Sequence, residues 1–297
     1  MNLLNKLSIG TAQFGQQYGL NSKSNNIQAT EAKNIIDLCK KNDIKNIDTA
    51  IAYGDSDSIL GECDIGDLKI STKFSLTDLN DYSISAQSLV KLIESSLKRM
   101  KIKKIENLFL HNSNDLFSKH QQVILDGIKE LINLNMIENF GLSVYKPNEF
   151  FRAVDLIDIQ IIQAPVNFFD HRFLSKDTLK KLNQNNISLQ ARSIFLQGLL
   201  LHTEDRLPNF FKKFSKELDT WYEFISFHEL SALEACLLFA LSRKEVSSIV
   251  FGVDNITHLS DVIKCVNKIK NNEINFPELK SIPHELYDPR KWQLKEK

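Results

Sequence analysis

Asp48-Thr-Ala-Ile-Ala-Tyr53-Gly54 sets a carboxylate and a phenol five positions apart, where the apolar run Lys45 to Ala50 gives way to a loop. A phenol ionises near ~10, so it gives up a proton at neutral pH only where a cation, itself held by a carboxylate, makes the phenolate easier to form. Lys73 offers that cation at the end of the next strand-like run, Lys69-Ile-Ser-Thr-Lys73-Phe, and His111 closes the run after it, Glu106-Asn-Leu-Phe-Leu-His111. Singly, each has an ordinary explanation: a half-exposed loop phenol, a surface lysine, a satisfied core histidine. In order at successive strand ends, Asp48, Tyr53, Lys73 and His111 read as counter-ion, acid, tuning cation and hydrogen-bond donor.

The elements that must position them alternate along the chain. Short apolar runs are expected as strands at Leu7–Thr11, Lys45–Ala50, Lys69–Phe74, Glu106–His111, Asn139–Ser143, Asp158–Ala164, Ser188–Ser193 and Ser247–Gly252. Helical periodicity lies between them. Ala32, Ile35, Ile36 and Cys39 share a face, as do Leu89, Leu92, Ile93 and Leu97, and Ile124, Ile128 and Leu131. Pro147 suits the first turn of the helix after the fifth strand. Repeated strand-helix units of this kind predict an α/β fold, a single (β/α)8 TIM barrel over residues 1–297, with chemistry at the strand carboxyl ends. Two stretches exceed the repeat. Ile194 to Val246 is long enough for a loop over the barrel mouth and an extra helix around Asn209 to Phe227, before the expected one at Ser231–Leu241. Residues 271–297 form a tail without helical periodicity. Tyr18, Trp221, Tyr222, Phe227, Tyr287 and Trp292 are candidates to line a substrate site or simply to pack.

Composition bounds the partners. Lys and Arg number 37 against 37 Asp and Glu, so nothing favours a polyanion, and neither nucleic acid nor membrane is expected. The basic run Lys98 to Lys104 reads as a helix end whose cations complement the dipole. Cys39, Cys63, Cys236 and Cys265 are scattered, which predicts reduced thiols in a cytoplasmic protein, and no histidine pair has metal-ligand spacing, so no metal is expected. The longest apolar stretch, Ala232 to Leu241, contains Glu234 and falls far short of the ~20 residues that cross a bilayer. Oligomeric state is not legible.

With these segments goes a resemblance to the aldo-keto reductase family. It is carried by Gly10-Thr11-Ala12, Asp48-Thr-Ala-Ile-Ala-Tyr53-Gly54, Ser71-Thr-Lys73, Leu110-His111, Gly141-Leu-Ser143, Gln163, Arg192-Ser193 to Gln197-Gly198-Leu-Leu and Val250-Phe-Gly252, in register from residue 7 to about 270. The Asp-Thr-Ala-x2-Tyr-Gly element is specific, and the others persuade by their order. The resemblance implies metal-free reduction of an aldehyde or ketone by NAD(P)H, with Tyr53 as general acid. The same site would serve a sugar or polyol dehydrogenase working oxidatively, and a cofactor-binding regulatory subunit could keep the same residues. It further implies NADP, with NAD possible, lying across the mouth, and a tail, residues 271–297, over or beside that mouth. Gly10 and Thr11 fall within the site, Ser143 and Gln163 at the carboxamide, Arg192 and Ser193 at the nicotinamide and pyrophosphate, and Gly252, Asn255, His258 and Asp261 toward the adenosine. The chain has no dinucleotide motif of the Rossmann type, because Gly10, Gly15 and Gly19 have the wrong spacing.

Three positions depart from the family pattern. Val144 follows Ser143 where the family commonly has asparagine, Arg192 stands where a tyrosine often stacks under the nicotinamide, and His258, near Asp254, replaces the strong cation for a 2′-phosphate. A guanidinium plane can stack and adds a charge suited to the pyrophosphate.

Overall fold

In a computed structural model, residues 2–16, 27–79, 84–269, 274–279 and 281–294 are described; Tyr18 and Gly19 lie outside them. Eight parallel strands close into one barrel in sequence order: β1 (Leu7–Gly10), β2 (Asn46–Asp48), β3 (Lys69–Phe74), β4 (Ile105–Leu110), β5 (Ile137–Ser143), β6 (Ile161–Pro165), β7 (Ser188–Arg192) and β8 (Val246–Gly252). The helices are α1 (Ala12–Gly15), α2 (Ala29–Lys41), α3 (Ser56–Leu60), α4 (Ala86–Met100), α5 (Gln121–Asn133), α6 (Pro147–Ala153), α7 (Lys176–Gln184), α8 (Ser215–Phe227), α9 (Ala232–Leu241), α10 (Ile256–Lys268) and α11 (His284–Tyr287). This is the expected (β/α)8 architecture.

Side chains alternate along each strand, so one set faces the helices and the other the barrel interior. Ile47, Ile70, Phe74, Leu108, Phe140 and Ile162 belong to the large apolar core shared with the helices. The interior is more polar. Asn139 donates to Asn107 Oδ1 at 3.1 Å, Asn107 to Ser71 Oγ at 3.0 Å, and Gln190 to Ser248 Oγ at 3.0 Å. A helix starts where a cap is available. Ser85 and Ser231 accept from the backbone N–H three residues on and open α4 and α9 with capping boxes, and Pro147 stands at the start of α6. Lys101, with φ 56°, ends α4 after Lys98 and Arg99, so the basic run is a helix terminus.

The stretch after β7 and the C-terminal tail build a second apolar cluster beside the barrel core. Phe168, Phe169, Leu199, Leu200, Phe211, Phe214, Trp221 and Phe224 pack there with Leu286 of the tail. Helix α9 is apolar on nearly every side because it is wedged between the two clusters: Leu237, Phe239 and Ala240 face the barrel core, Ala235 and Cys236 the second one. No single described helix is long and apolar enough to cross a membrane.

Candidate active site

Strand register gathers the site. Gly10, at the end of β1, pairs with Asp48 at the end of β2 on one side and with Gly252 at the end of β8 on the other; Asp48 pairs in turn with Ser71 of β3, and Ser143, at the end of β5, with Gln163 of β6. Lys73 is 1 % exposed and Asp48 2 %, and Lys73 Nζ donates to Asp48 Oδ2 at 2.5 Å and to the Thr49 carbonyl at 2.8 Å. Removing either member of so buried a pair would strand a charge at a cost of about 3–5 kcal/mol. The other carboxylate oxygen, Oδ1, accepts from Gln163 Nε2 at 2.7 Å. Gln163 lies on β6, across the barrel from β2, so this contact runs through the interior. Its amide also donates to Gln190 Oε1 at 2.7 Å.

Tyr53 stands over this pair, its ring centroid 5.3 Å from Lys73 Nζ, and His111 packs edge-on against it at 6.1 Å between centroids. Burial, with the Asp48 charge, pushes the Tyr53 phenol above its usual range, while Arg192 pulls it down. The phenol is therefore in its proton-bearing form at neutral pH. Burial and the charges of Lys73 and Arg192 push His111 down to about 3, which keeps its imidazole neutral.

The Tyr53 turn is seated on glycine. Gly54 has φ +56°, and a Cβ on Gly15 at the end of α1 would overlap the Tyr53 carbonyl. Below it, Ser56 Oγ is 2.6 Å from Thr11 Oγ1 and 3.0 Å from Thr49 Oγ1, a buried hydroxyl cluster that ties α3 to the ends of β1 and β2.

From Asp48 and Tyr53 a cavity of about 570 Å³ extends past Gln163, Arg192, Ser193, Phe195 and Gly198 to Gly252, Asp254, His258 and Asp261 at the start of α10. The loop along its flank is strained: Ser193, Leu196 and Gln197 have φ of 57°, 48° and 51°, and Gly198 has φ 94°. Such strain persists where surrounding structure enforces it and clusters at ligand sites.

The sequence profile of the Aldo/keto reductase family matches residues 6–282. The chain belongs to that family. Its oxidoreductase relatives include the uncharacterized oxidoreductase YqkF of Bacillus subtilis (strain 168), 24% identical over 300 residues, 94% of this chain and 96% of the relative. Solved structures share the fold. The thermostable aldo-keto reductase Tm1743, in complex with the inhibitor epalrestat, superposes with a TM-score of 0.69 at 21% identity, covering 90% of this chain and 91% of the other. The holo form of aldo-keto reductase AKR11C1 from Bacillus halodurans gives 0.69 at 18% identity, covering 89% and 87%.

Seven sequence-selected residues, Gly10, Gln163, Arg192, Ser193, Gly252, His258 and Asp261, line the cavity of this aldo-keto reductase, with Asp48 and Tyr53 at its inner end. Lys73, His111, Thr11, Ser143 and Asn255 do not: Lys73 and His111 stand behind Tyr53. Thr11 is fully buried in the hydroxyl cluster, Ser143 is 3 % exposed at the end of β5, and the Asn255 side chain caps α10 by accepting from His258 N–H. His258 Nδ1 lies 3.4 Å from Asp254 Oδ2, so the two residues flagged together form a pair. Of the candidate aromatics, Trp221 is buried in the second cluster, Phe227 is 83 % exposed, and none of the five that are described lines the cavity. Residues that escaped the sequence reading include Gln13, which lines the cavity, and Gln190, which holds Gln163. Gln190 sits two residues before Arg192 on β7, a spacing that puts both on one strand face.

Proposed function

We propose that this aldo-keto reductase reduces an aldehyde or ketone to an alcohol with NADPH, NADH being the alternative donor, within one barrel whose tail, residues 271–297, borders the mouth. The observation that carries this reading is the buried Lys73–Asp48 pair beneath a proton-bearing Tyr53, with a neutral His111 against the same ring.

The cavity suits a nicotinamide dinucleotide. It is elongated; a Cβ on Gly198 would meet only open space; and Gln13 Oε1 is buried there without a hydrogen-bond partner. Gln163 and Ser143 would hold the carboxamide, Arg192 and Ser193 the nicotinamide and pyrophosphate, and Gly252, Asn255, His258 and Asp261 the adenosine end, with Gly10 and Thr11 shaping the floor. Gln163 spends its amide hydrogens on Asp48 and Gln190, which leaves its carbonyl oxygen to accept from a ligand.

When bound, the dinucleotide supplies hydride to the carbonyl carbon. Tyr53 gives its proton to the carbonyl oxygen, and His111 orients that oxygen by donating from its neutral ring. The ammonium of Lys73 stabilises the phenolate left behind, and Asp48 keeps that ammonium charged inside the barrel. The reverse oxidation uses the same groups.

The test is NADPH and NADH consumption with a panel of aldehydes, ketones and open-chain sugars, set beside dissociation constants for both cofactors. The reading expects carbonyl-dependent turnover with at least one cofactor. Tight cofactor binding without turnover on any carbonyl or alcohol would favour a regulatory subunit instead.

A further inference from the structure

Two segments far apart in sequence carry the same local device. In Asp170-His171-Arg172, after β6, Asp170 Oδ1 accepts from the Arg172 backbone N–H at 3.3 Å, and the carboxylate takes Nε and Nη2 of the guanidinium at 2.7 and 2.6 Å. In Asp288-Pro289-Arg290, in the tail, the corresponding distances are 3.2, 2.8 and 2.7 Å. A bidentate pair of this kind fixes the plane of its guanidinium. Each plane then lies on a tyrosine from another segment: Arg172 over Tyr287 of the tail at 4.4 Å, and Arg290 over Tyr145, in the loop after β5, at 3.6 Å. The tail is fastened to the rim reciprocally.

Tyr145 carries a second guanidinium. Arg192 lies over the same ring at 4.1 Å, while its Nη2 donates to the Val144 carbonyl at 3.2 Å and its Nη1 to Ser193 Oγ at 3.3 Å. Two like charges on one ring repel unless one is neutralised, and Asp288 neutralises Arg290. Arg192 has no carboxylate partner among the described residues, whereas the other ionic groups lining the cavity are paired: Asp48 with Lys73, Asp254 with His258 and Asp261 with Lys264. An unneutralised guanidinium at the inner end of the cavity needs its direction fixed by something other than an ion pair. The stack supplies it.

We propose that Tyr145 and Arg290 are positioning residues for Arg192: the tail's Asp288–Arg290 pair holds the Tyr145 ring, and the ring holds the Arg192 guanidinium in place to meet the cofactor. This rests on the assignment of Arg192 as a cofactor contact. It makes the tail part of the cofactor site, although no described tail residue lines the cavity.

The experiment measures NADPH dissociation constants by protein fluorescence with the full chain and with Arg192→Met, Arg290→Met, Tyr145→Leu, Tyr145→Phe and the Arg192→Met/Arg290→Met double variant. Arg290 is partly exposed, so its loss leaves the core intact. Arg290→Met and Tyr145→Leu are expected to bind NADPH roughly three- to tenfold more weakly, the range of a cation–π contact. Tyr145→Phe restores a ring and recovers most of the affinity. Adding Arg290→Met to Arg192→Met then costs little more, because both act through one guanidinium. Weakened binding in Arg192→Met beside parental binding in Arg290→Met overturns the inference alone, as does full additivity of the two. A parent chain that fails to bind NADPH, or an Arg192→Met variant that binds it as the parent does, overturns the assignment of Arg192 and the inference with it.

Discussion

Asp48 is held from two directions, by the Lys73 ammonium on one oxygen and the Gln163 amide on the other, so its carboxylate has no freedom to turn away from the lysine. The same crowding of cations acts on His111. Burial, then Lys73 and Arg192, push it to about 3 from an ordinary value near 6.5. Between these values the unfolded chain binds a proton that the native state refuses, so stability from this source rises with pH through that window and is lost as pH falls from about 6.5 toward 3. His111→Gln removes the titration. Its melting temperature should lose less than the parent's as pH is lowered from 6.5 to 4, and parallel curves for the two proteins would mean that His111 is not held neutral. At this scale the sequence was most legible for Asp48, Tyr53, Lys73 and His111, whose types and order along successive strands are local signals. Less legible were the placement of Thr11 in a buried hydroxyl cluster and the capping of α10 by Asn255, which depend on rotamers and neighbours that a motif does not encode.

All eight strands lie where alternating runs predicted them, with ends displaced by a few residues. β2 is shorter than the run Lys45 to Ala50, yet its pairing with β3 carries on past Asp48, with Thr49 N–H on the Ser71 carbonyl and Ile51 N–H on that of Lys73. The buried faces of α2 and α5 hold the apolar residues that their periodicity selects. What periodicity does not reveal is close backbone approach, such as the seating of the Tyr53 turn on Gly15. Gly15→Ala should displace that turn and lower carbonyl turnover at least tenfold while leaving much of the barrel's helical circular dichroism intact; turnover equal to the parent's would mean that the turn tolerates the displacement. The paired Asp-x-Arg devices after β6 and in the tail were equally open to reading in sequence. Their meaning appears only when each guanidinium meets a tyrosine from a distant segment.

The molecule as a whole sets a barrel core beside a second apolar cluster made by the stretch after β7 and by the tail. Trp221 lies fully buried at the heart of that cluster, 4.8 Å from Phe168 between ring centroids, with its Nε1 donating to the Leu200 carbonyl at 3.2 Å. Trp221→Ala should cost about 3–5 kcal/mol in urea unfolding, and a loss below about 1 kcal/mol would mean that the cluster collapses around the gap. The extra helix, expected around Asn209 to Phe227 from the length of the stretch after β7, is α8 at Ser215–Phe227, whereas its packing partner Phe168, in the loop after β6, was not legible, since loop-borne core residues carry no periodicity. At the strand ends, the proposed proton donor is Tyr53. The direct measurement compares the parent with Tyr53→Phe in carbonyl-dependent NADPH oxidation and in NADPH affinity. Turnover is expected to fall by at least ~10²-fold with the dissociation constant unchanged within a few-fold, because the hydroxyl acts in the transition state. Near-parental turnover in the phenylalanine variant would contradict it.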